Sequence, residues 1–357
     1  MPYDVKKGWA YGEVMEKILA ETATLNMGEF PTTLGQLVQG FNGVEELVGQ
    51  DKTYVLTPTG LQTLCERIDF PVGALKKLPQ HLQVEAVRAL AVGNEESPVV
   101  VQTTGDRVDS VHSGEYRPIR NAPLALLMSN LIPKNARVYR WDLSHGGRTL
   151  DMRILSADWE VNLGNGRPDP GYGGVHIIND ELGGSSFRMV MCVARVLCLN
   201  YTLSTHELMS QQHRWFNPQE LSDSIRTGIA KVPQFAEEVA AELRGYHKIP
   251  VADPILTLDR MGEINGVPQY ALAEAKTFWQ QNGAEHNWFA VDQAMKHGTK
   301  FLTDDLAPRR HANWDERNRL EQAMWDVGQQ VREHDGVEQF FNCPVCHRPV
   351  ETQDEAV

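Results

Sequence analysis

The sequence predicts an α+β fold: an antiparallel sheet built from β-hairpins with helices on one face, followed by a helical C-terminal region and a small CxxC tail. Apolar residues recur at helical spacing before about residue 95 and again after Asn217, whereas from Ser97 to Val161 they alternate with polar ones around glycine turns. A Cys-Pro-Val-Cys run near the end has the spacing of a metal knuckle.

With 357 residues, 41% of them hydrophobic, the chain can bury a substantial core, and its size suggests two domains or one large domain with an appendage. The periodicities divide it into an N-terminal helical segment over 1–95, an α+β core with basic hairpins over 96–216, a helical region over 217–336 and a CxxC knuckle with a flexible tail over 337–357.

Tyr11 to Ala23 reads as a short amphipathic helix, and the run after Thr57 as a capped one with Leu61, Leu64 and Ile68 on one face, stopped by Pro71. Gln80 to Ala91 carries Leu82, Val87 and Leu90 at inward spacing. The β-branched stretch from Ser97 to Ser113 folds back at Gly105-Asp106, and the stretch from Ala136 to Val161 at His145-Gly146-Gly147, so each predicts a hairpin. Between them Asn121 caps a helix with Pro123 in its first turn. Residues 164–174 compose a loop, followed by a strand, a Gly-Gly turn and an apolar run to Asn200 that suits either strand or helix. Helices are then expected from Asn217 to about Tyr246, and over Ala271–Gln281, Trp288–His297 and Trp314–His334.

Charge narrows the range of partners. The net charge is −13, which opposes indiscriminate attraction to nucleic acid. Yet Arg107 to Arg153 holds eight basic residues (Arg107, Arg117, Arg120, Lys134, Arg137, Arg140, Arg148, Arg153) against four acidic ones (Asp109, Glu115, Asp142, Asp151), a local balance of +4. No run approaches the roughly 20 apolar residues of a membrane span, and the start lacks the apolar run of a secretory signal, so a cytoplasmic protein without a membrane partner is expected. Cys65, Cys192 and Cys198 lie in apolar surroundings and read as buried thiols.

Three blocks resemble a family common in phages, prophages and plasmids, the domain-of-unknown-function family numbered 932: CERIDFPVGALKKLP, VDSVHSGEYRPIRNAPLALLM and GVHIINDELGGSSFRMVMCVARVLCLN. The third resembles its strand ending in an Asn-x-Glu-x-Gly turn and its Arg-x-x-Cys-x-Asn signature, here Arg195, Cys198 and Asn200; Tyr201 stands where the family has glycine, and its basic-His ending is reduced to Gln212-His213-Arg214. The resemblance covers about residues 60–215. It implies a protein of a mobile element and brings no assigned activity.

The candidate residues follow from chemistry. An aromatic side chain among arginines suits stacking on a base while its phosphate is held, so Tyr116 and Trp141, with Arg107, Arg117, Arg120, Arg137, Arg140, Arg148 and Arg153, form a candidate nucleic-acid surface. Arg188 and Arg195 lie in an apolar run and need carboxylate partners such as Asp180 or Glu181. Asn179, Asp180 and Glu181 before Gly183-Gly184 read as polar turn chemistry rather than as metal ligands. Cys343 and Cys346 are candidate ligands of a structural zinc ion, completed by His347, His334 or a second chain. No HExxH, GxSxG or GxxxxGK[ST] motif occurs, so the residues do not point to an enzyme. Hairpin order and basic strands resemble, at the level of architecture, phage single-strand annealing recombinases, which implies an oligomer that binds single-stranded DNA. The alternative is a non-enzymatic oligomeric interaction factor that modulates a host system, for which an acidic surface suffices.

Overall fold

The computed structural model describes residues 8–25, 27–49, 52–144, 147–166, 168–195, 204–214, 217–282, 285–300, 319–320, 323, 326–334 and 336–342, without the side chains of 204–207 and 300. Strand β1 (Trp9–Ala10) enters helix α1 (Tyr11–Ala23), and β2 (Met27–Thr33) enters α2 (Leu34–Gln39). Strands β3 (Glu46–Val48) and β4 (Thr53–Leu56) precede helices α3 (Pro58–Arg67), α4 (Val72–Leu75) and α5 (Gln80–Leu90). The hairpin of β5 (Pro98–Thr104) and β6 (Arg107–Ser113) is followed by α6 (Asn121–Ser129). Then come β7 (Arg137–Ser144), β8 (Thr149–Asn162), β9 (Pro170–Asp180), β10 (Phe187–Arg195) and β11 (Ser204–Gln211). Helices α7 (Pro218–Tyr246), α8 (Pro254–Asn265), α9 (Gln269–Asn282), α10 (Trp288–Lys300), α11 (described over 326–333) and α12 (Val337–Phe341) complete the chain.

The α+β class and both hairpins are as the sequence predicts, with two sheets in place of one. The first hairpin belongs to a five-stranded sheet of order β2-β5-β6-β4-β3, and the second to a six-stranded antiparallel sheet of order β1-β7-β8-β9-β10-β11. The N-terminal segment is therefore not wholly helical, since it supplies β2, β3 and β4. Strand β2, with Gly28 and Pro31, has weak strand character by itself; it is set by a seven-residue ladder to β5, and it tolerates proline because it is an edge strand. Nor is that sheet purely antiparallel, because β4 joins β6 in parallel.

Three large cores follow from these faces, beside a small cluster of Tyr139, Leu155, Cys192 and Ala194. Val99, Val101, Val108 and Val111 of the five-stranded sheet pack against Leu61, Leu64 and Cys65 of α3 and Val87 of α5. Leu82 and Leu90, expected inward, are each 39% exposed; α5 buries Gln83 instead, whose amide carbonyl accepts from the Val44 N–H and whose NH2 donates to the Leu78 carbonyl. One face of the six-stranded sheet, including Val138, Met152, Ile177 and Met189, is covered by α1, α6 and the first half of α7. The third core is helical and begins on the second half of α7 at Ala236, Val239 and Leu243. Among the described residues no helix is long and apolar enough to cross a membrane.

Strand β9 contains the tightest backbone approach of the larger sheet. Gly174 pairs with Leu155, and a Cβ there would lie 2.2 Å from the Ile154 carbonyl oxygen and 2.5 Å from a Leu155 methyl group. Beyond this pair the register of β8 shifts before Glu160 meets Tyr172. Gly174→Ala is expected to cost about 1–3 kcal/mol through this crowding, read as a lowered urea midpoint at unchanged slope.

Candidate functional site

The end of β9 reaches the seam between the two sheets, and Glu181 closes it. Its Oε2 accepts from Arg120 Nη1 at 2.9 Å and lies 3.3 Å from Arg148 Nε, while Oε1 accepts from the Asn121 backbone N–H at 2.6 Å. Arg148 is 1% exposed; Nη2 donates to Gln102 Oε1 at 2.6 Å and Nη1 to Asp109 Oδ2 at 3.3 Å, both acceptors belonging to the five-stranded sheet. Arg120 reaches the same sheet through Glu29, at 3.0 Å. A guanidinium buried this deeply requires such neutralisation, and the carboxylate in turn requires the arginines.

Beside this seam Tyr116 donates its hydroxyl to the Glu181 carbonyl at 2.8 Å and stacks on His112 with ring centroids 3.7 Å apart. The β9–β10 turn then passes through Gly183, whose φ of +80° favours glycine and whose Cβ would strike the His112 ring at 2.5 Å. Above the stack opens a cleft of about 250 Å³, lined by Thr63, Glu66, Arg67, His112, Ser113, Tyr116, Gly183, Ser185, Ser186, Gln212, His213 and Arg214. Arg67 ends α3, and Arg214 is bridged to Tyr116; both are exposed, and among the described residues neither forms an ion pair. Among the described residues Gly184 and Ser185 donate their backbone N–H groups to no protein acceptor, and the Ser185 hydroxyl is buried without a partner. Two guanidinium groups, serine hydroxyls and turn N–H groups are the donors that hold an oxyanion.

Both histidines of the cleft are committed to the fold. His213 Nδ1 accepts from the Ile119 N–H at 3.0 Å, and Nε2 lies 3.1 Å from the Ser185 carbonyl, to which it donates. His112 Nε2 lies 2.8 Å from Ser110 Oγ. Burial, then the charge of Arg67, lowers the His112 pKa to about 3, and burial lowers that of His213 despite Asp180. These contacts fit the cleft for binding an anion rather than for moving a proton.

The residues expected to form one nucleic-acid surface are dispersed. Tyr116 is 6% exposed, and its ring lies against His112 and His213, so it presents no stacking face to solvent. Arg148 and Arg120 are absorbed in the seam. On β7, Trp141 packs toward the helices with Lys17 5.8 Å from its ring centre, opposite the face of its neighbour Arg140. Arg140 pairs in register with Arg153, which is 6% exposed, and Arg137 is half-buried with Nη1 donating to the Ala136 carbonyl. Only Arg107 and Arg117 of the set are fully at the surface. Arg117 lies near the cleft, because its N–H donates to the His213 carbonyl at 2.8 Å.

Of the other expectations, Cys65 and Cys192 are buried and belong to no disulfide, while Cys198 and Asn200 lie outside the described residues. Arg195 finds its partner in Asp169, at 2.8 Å, rather than in the β9 turn. The candidate zinc ligands Cys343, Cys346 and His347 also lie outside the described residues; the fourth candidate, His334, is half-buried, with Nδ1 2.7 Å from the Gln330 carbonyl. Among the described residues no three His, Cys, Asp or Glu side chains converge as a metal site. Comparison with family models, curated proteins and solved structures finds no match, so the functional reading rests on this geometry.

Two outcomes follow. Glu181→Ala removes one of the two carboxylates of the buried Arg148 and leaves it with Asp109, and a loss of up to about 3–5 kcal/mol is expected in urea unfolding. Because His112 and His213 titrate lower in the folded chain than the ordinary value of 6.5, the unfolded chain takes up protons first on acidification. The contribution of His112 is full above pH 6.5 and declines below it toward pH 3, by at most about 1.4 kcal/mol per pH unit, and that of His213 declines in the same direction. Unfolding curves at graded pH should show this slope, and His112→Gln should flatten it.

Proposed function

We propose that the protein binds single-stranded DNA through the phosphate backbone, with one phosphate seated in the cleft between α3 and the β9–β10 turn. The observation that carries this reading is the convergence of Arg67 and Arg214, without ion-pair partners among the described residues, on the Gly183–Ser186 turn. Arg117 adds charge beside them, and Glu66 offsets part of it. In a chain of net charge −13, such a recess offers a polyanion a local excess of positive charge. A recess suits a flexible strand that can bend a phosphate inward; a stiff duplex offers only its outer phosphates. Strand annealing by an oligomeric mobile-element protein is the role such binding serves, with no bond made or broken.

The track differs from the one drawn from sequence: Arg67 and Arg214 replace Arg120, Arg148 and Tyr116. Fluorescence anisotropy of a labelled oligonucleotide should give salt-dependent binding, with the double variant Arg67→Ala/Arg214→Ala weakening it and reducing the slope of log K against log salt by about 0.7, the value for one phosphate of a single strand. Complementary strands added together should anneal faster with the native protein than with the variant. Absence of binding at about 50 mM salt sinks the reading and favours the interaction-factor alternative.

A further inference from the structure

A second recess lies in the five-stranded sheet. Strands β2 and β3 stand at opposite ends of its strand order, yet Phe30, Pro31 and Thr32 of β2 and Leu47 and Val48 of β3 line one pocket of about 490 Å³. The sheet therefore curls until its two edges face each other across α2. The Phe30 and Tyr54 rings meet there at 5.8 Å, although β2 and β4 are not neighbours in the sheet. The volume lies in the range of small-molecule sites, about 300–1,000 Å³.

The chemistry of the walls is specific. Helix α2 presents Gln36 and Gln39 three residues apart, on one side of the helix, and both line the pocket. Gln36 Oε1 accepts from Thr32 Oγ1 at 2.9 Å, which fixes that amide and leaves its NH2 group as a donor. The Gln39 side-chain amide has no partner among the described residues, while its backbone carbonyl is anchored by Arg88 Nη2 at 3.0 Å. Gly40 and Gly49 supply the rest of the wall; a Cβ on Gly49 would lie 2.8 Å from the Tyr54 ring. Lys52 sits 4.7 Å from the centre of the Tyr54 ring and donates to the Gly105 carbonyl at 2.9 Å, which steadies the aromatic wall.

Aromatic walls for a flat ring, with amides that both donate and accept toward its edge, match an unpaired nucleobase. We infer that this pocket takes a single unpaired purine or pyrimidine base, stacked on the Phe30–Tyr54 wall and hydrogen-bonded by Gln36 and Gln39. Where the base belongs to a strand, the inference rests on the DNA reading above; where it belongs to a free nucleoside, it stands without that reading.

The test uses 2-aminopurine, whose fluorescence falls on stacking, first as the free riboside and then as a single base within an oligonucleotide. Each is titrated into the full-length protein, into Tyr54→Leu, which keeps bulk without the ring, and into Gln39→Ala, an exposed change. Saturable quenching is expected with the native protein, weakened roughly 10- to 100-fold by Tyr54→Leu and to a smaller degree by Gln39→Ala. Quenching of the riboside that survives in Arg67→Ala/Arg214→Ala identifies a nucleoside site independent of the cleft; quenching of the oligonucleotide alone identifies a strand-borne base. The inference is overturned if neither probe is quenched, or if both variants, shown to be folded by circular dichroism, quench as the native protein does.

Discussion

The buried pairing of Glu181 with Arg148 is the constraint on which the two sheets depend. Each group alone would be expelled from the interior, because an isolated charge there costs several kcal/mol or more. Together they bring Gln102 and Asp109 of one sheet against the end of β9 in the other, and Glu181 also takes the first N–H of α6. Tyr116, Asn121 and Asn179 then join by hydrogen bonds to this strand end or to one another. Hydrophobic packing would hold two sheets together in many registers; a carboxylate shared by two guanidinium groups permits few.

The same constraint explains the dispersal of the basic residues. A count of +4 between Arg107 and Arg153 suggests a cationic surface, yet part of that charge is consumed internally by Glu29, Asp109 and Glu181. Glu29 and Glu181 fall outside the counted segment, so a linear window records the arginines without their partners. The cleft shows the converse. Arg67 and Arg214 are far apart in sequence, each in an unremarkable local context, and only the stacking of α3 beside the β9–β10 turn makes them one site.

Much of the fold was legible where one local signal decided the outcome. Thr57 caps α3 through Oγ1, which accepts from the Gly60 N–H at 2.9 Å, and the run from Asn217 becomes α7 over Pro218–Tyr246. Gly105 turns the first hairpin with φ of +62°. Legibility ended where partners decide. Strand β2 is made by β5; the apolar run after Gly184, which suits helix or strand alone, becomes β10 because β9 and β11 flank it. Asn121, expected as a helix cap, is the first helical residue instead, and its side chain donates to the Gly147 carbonyl between β7 and β8. For the site, the Gly-Gly-Ser-Ser turn and the Gln212-His213-Arg214 ending were visible as words, but their meeting was not.

Helix α7 serves two cores in succession, with Ile225 and Val232 on the six-stranded sheet and Val239 and Leu243 in the helical unit. This gives the chain an order of assembly on the ribosome. The curled sheet has all five strands once residue 113 has been made, whereas the larger sheet waits for β11 and for the helix that ends at Tyr246. Across that interval the apolar face around Met152, Ile177 and Met189 is only partly shielded by α1 and α6, so the nascent chain carries its greatest exposure to misassembly midway through synthesis.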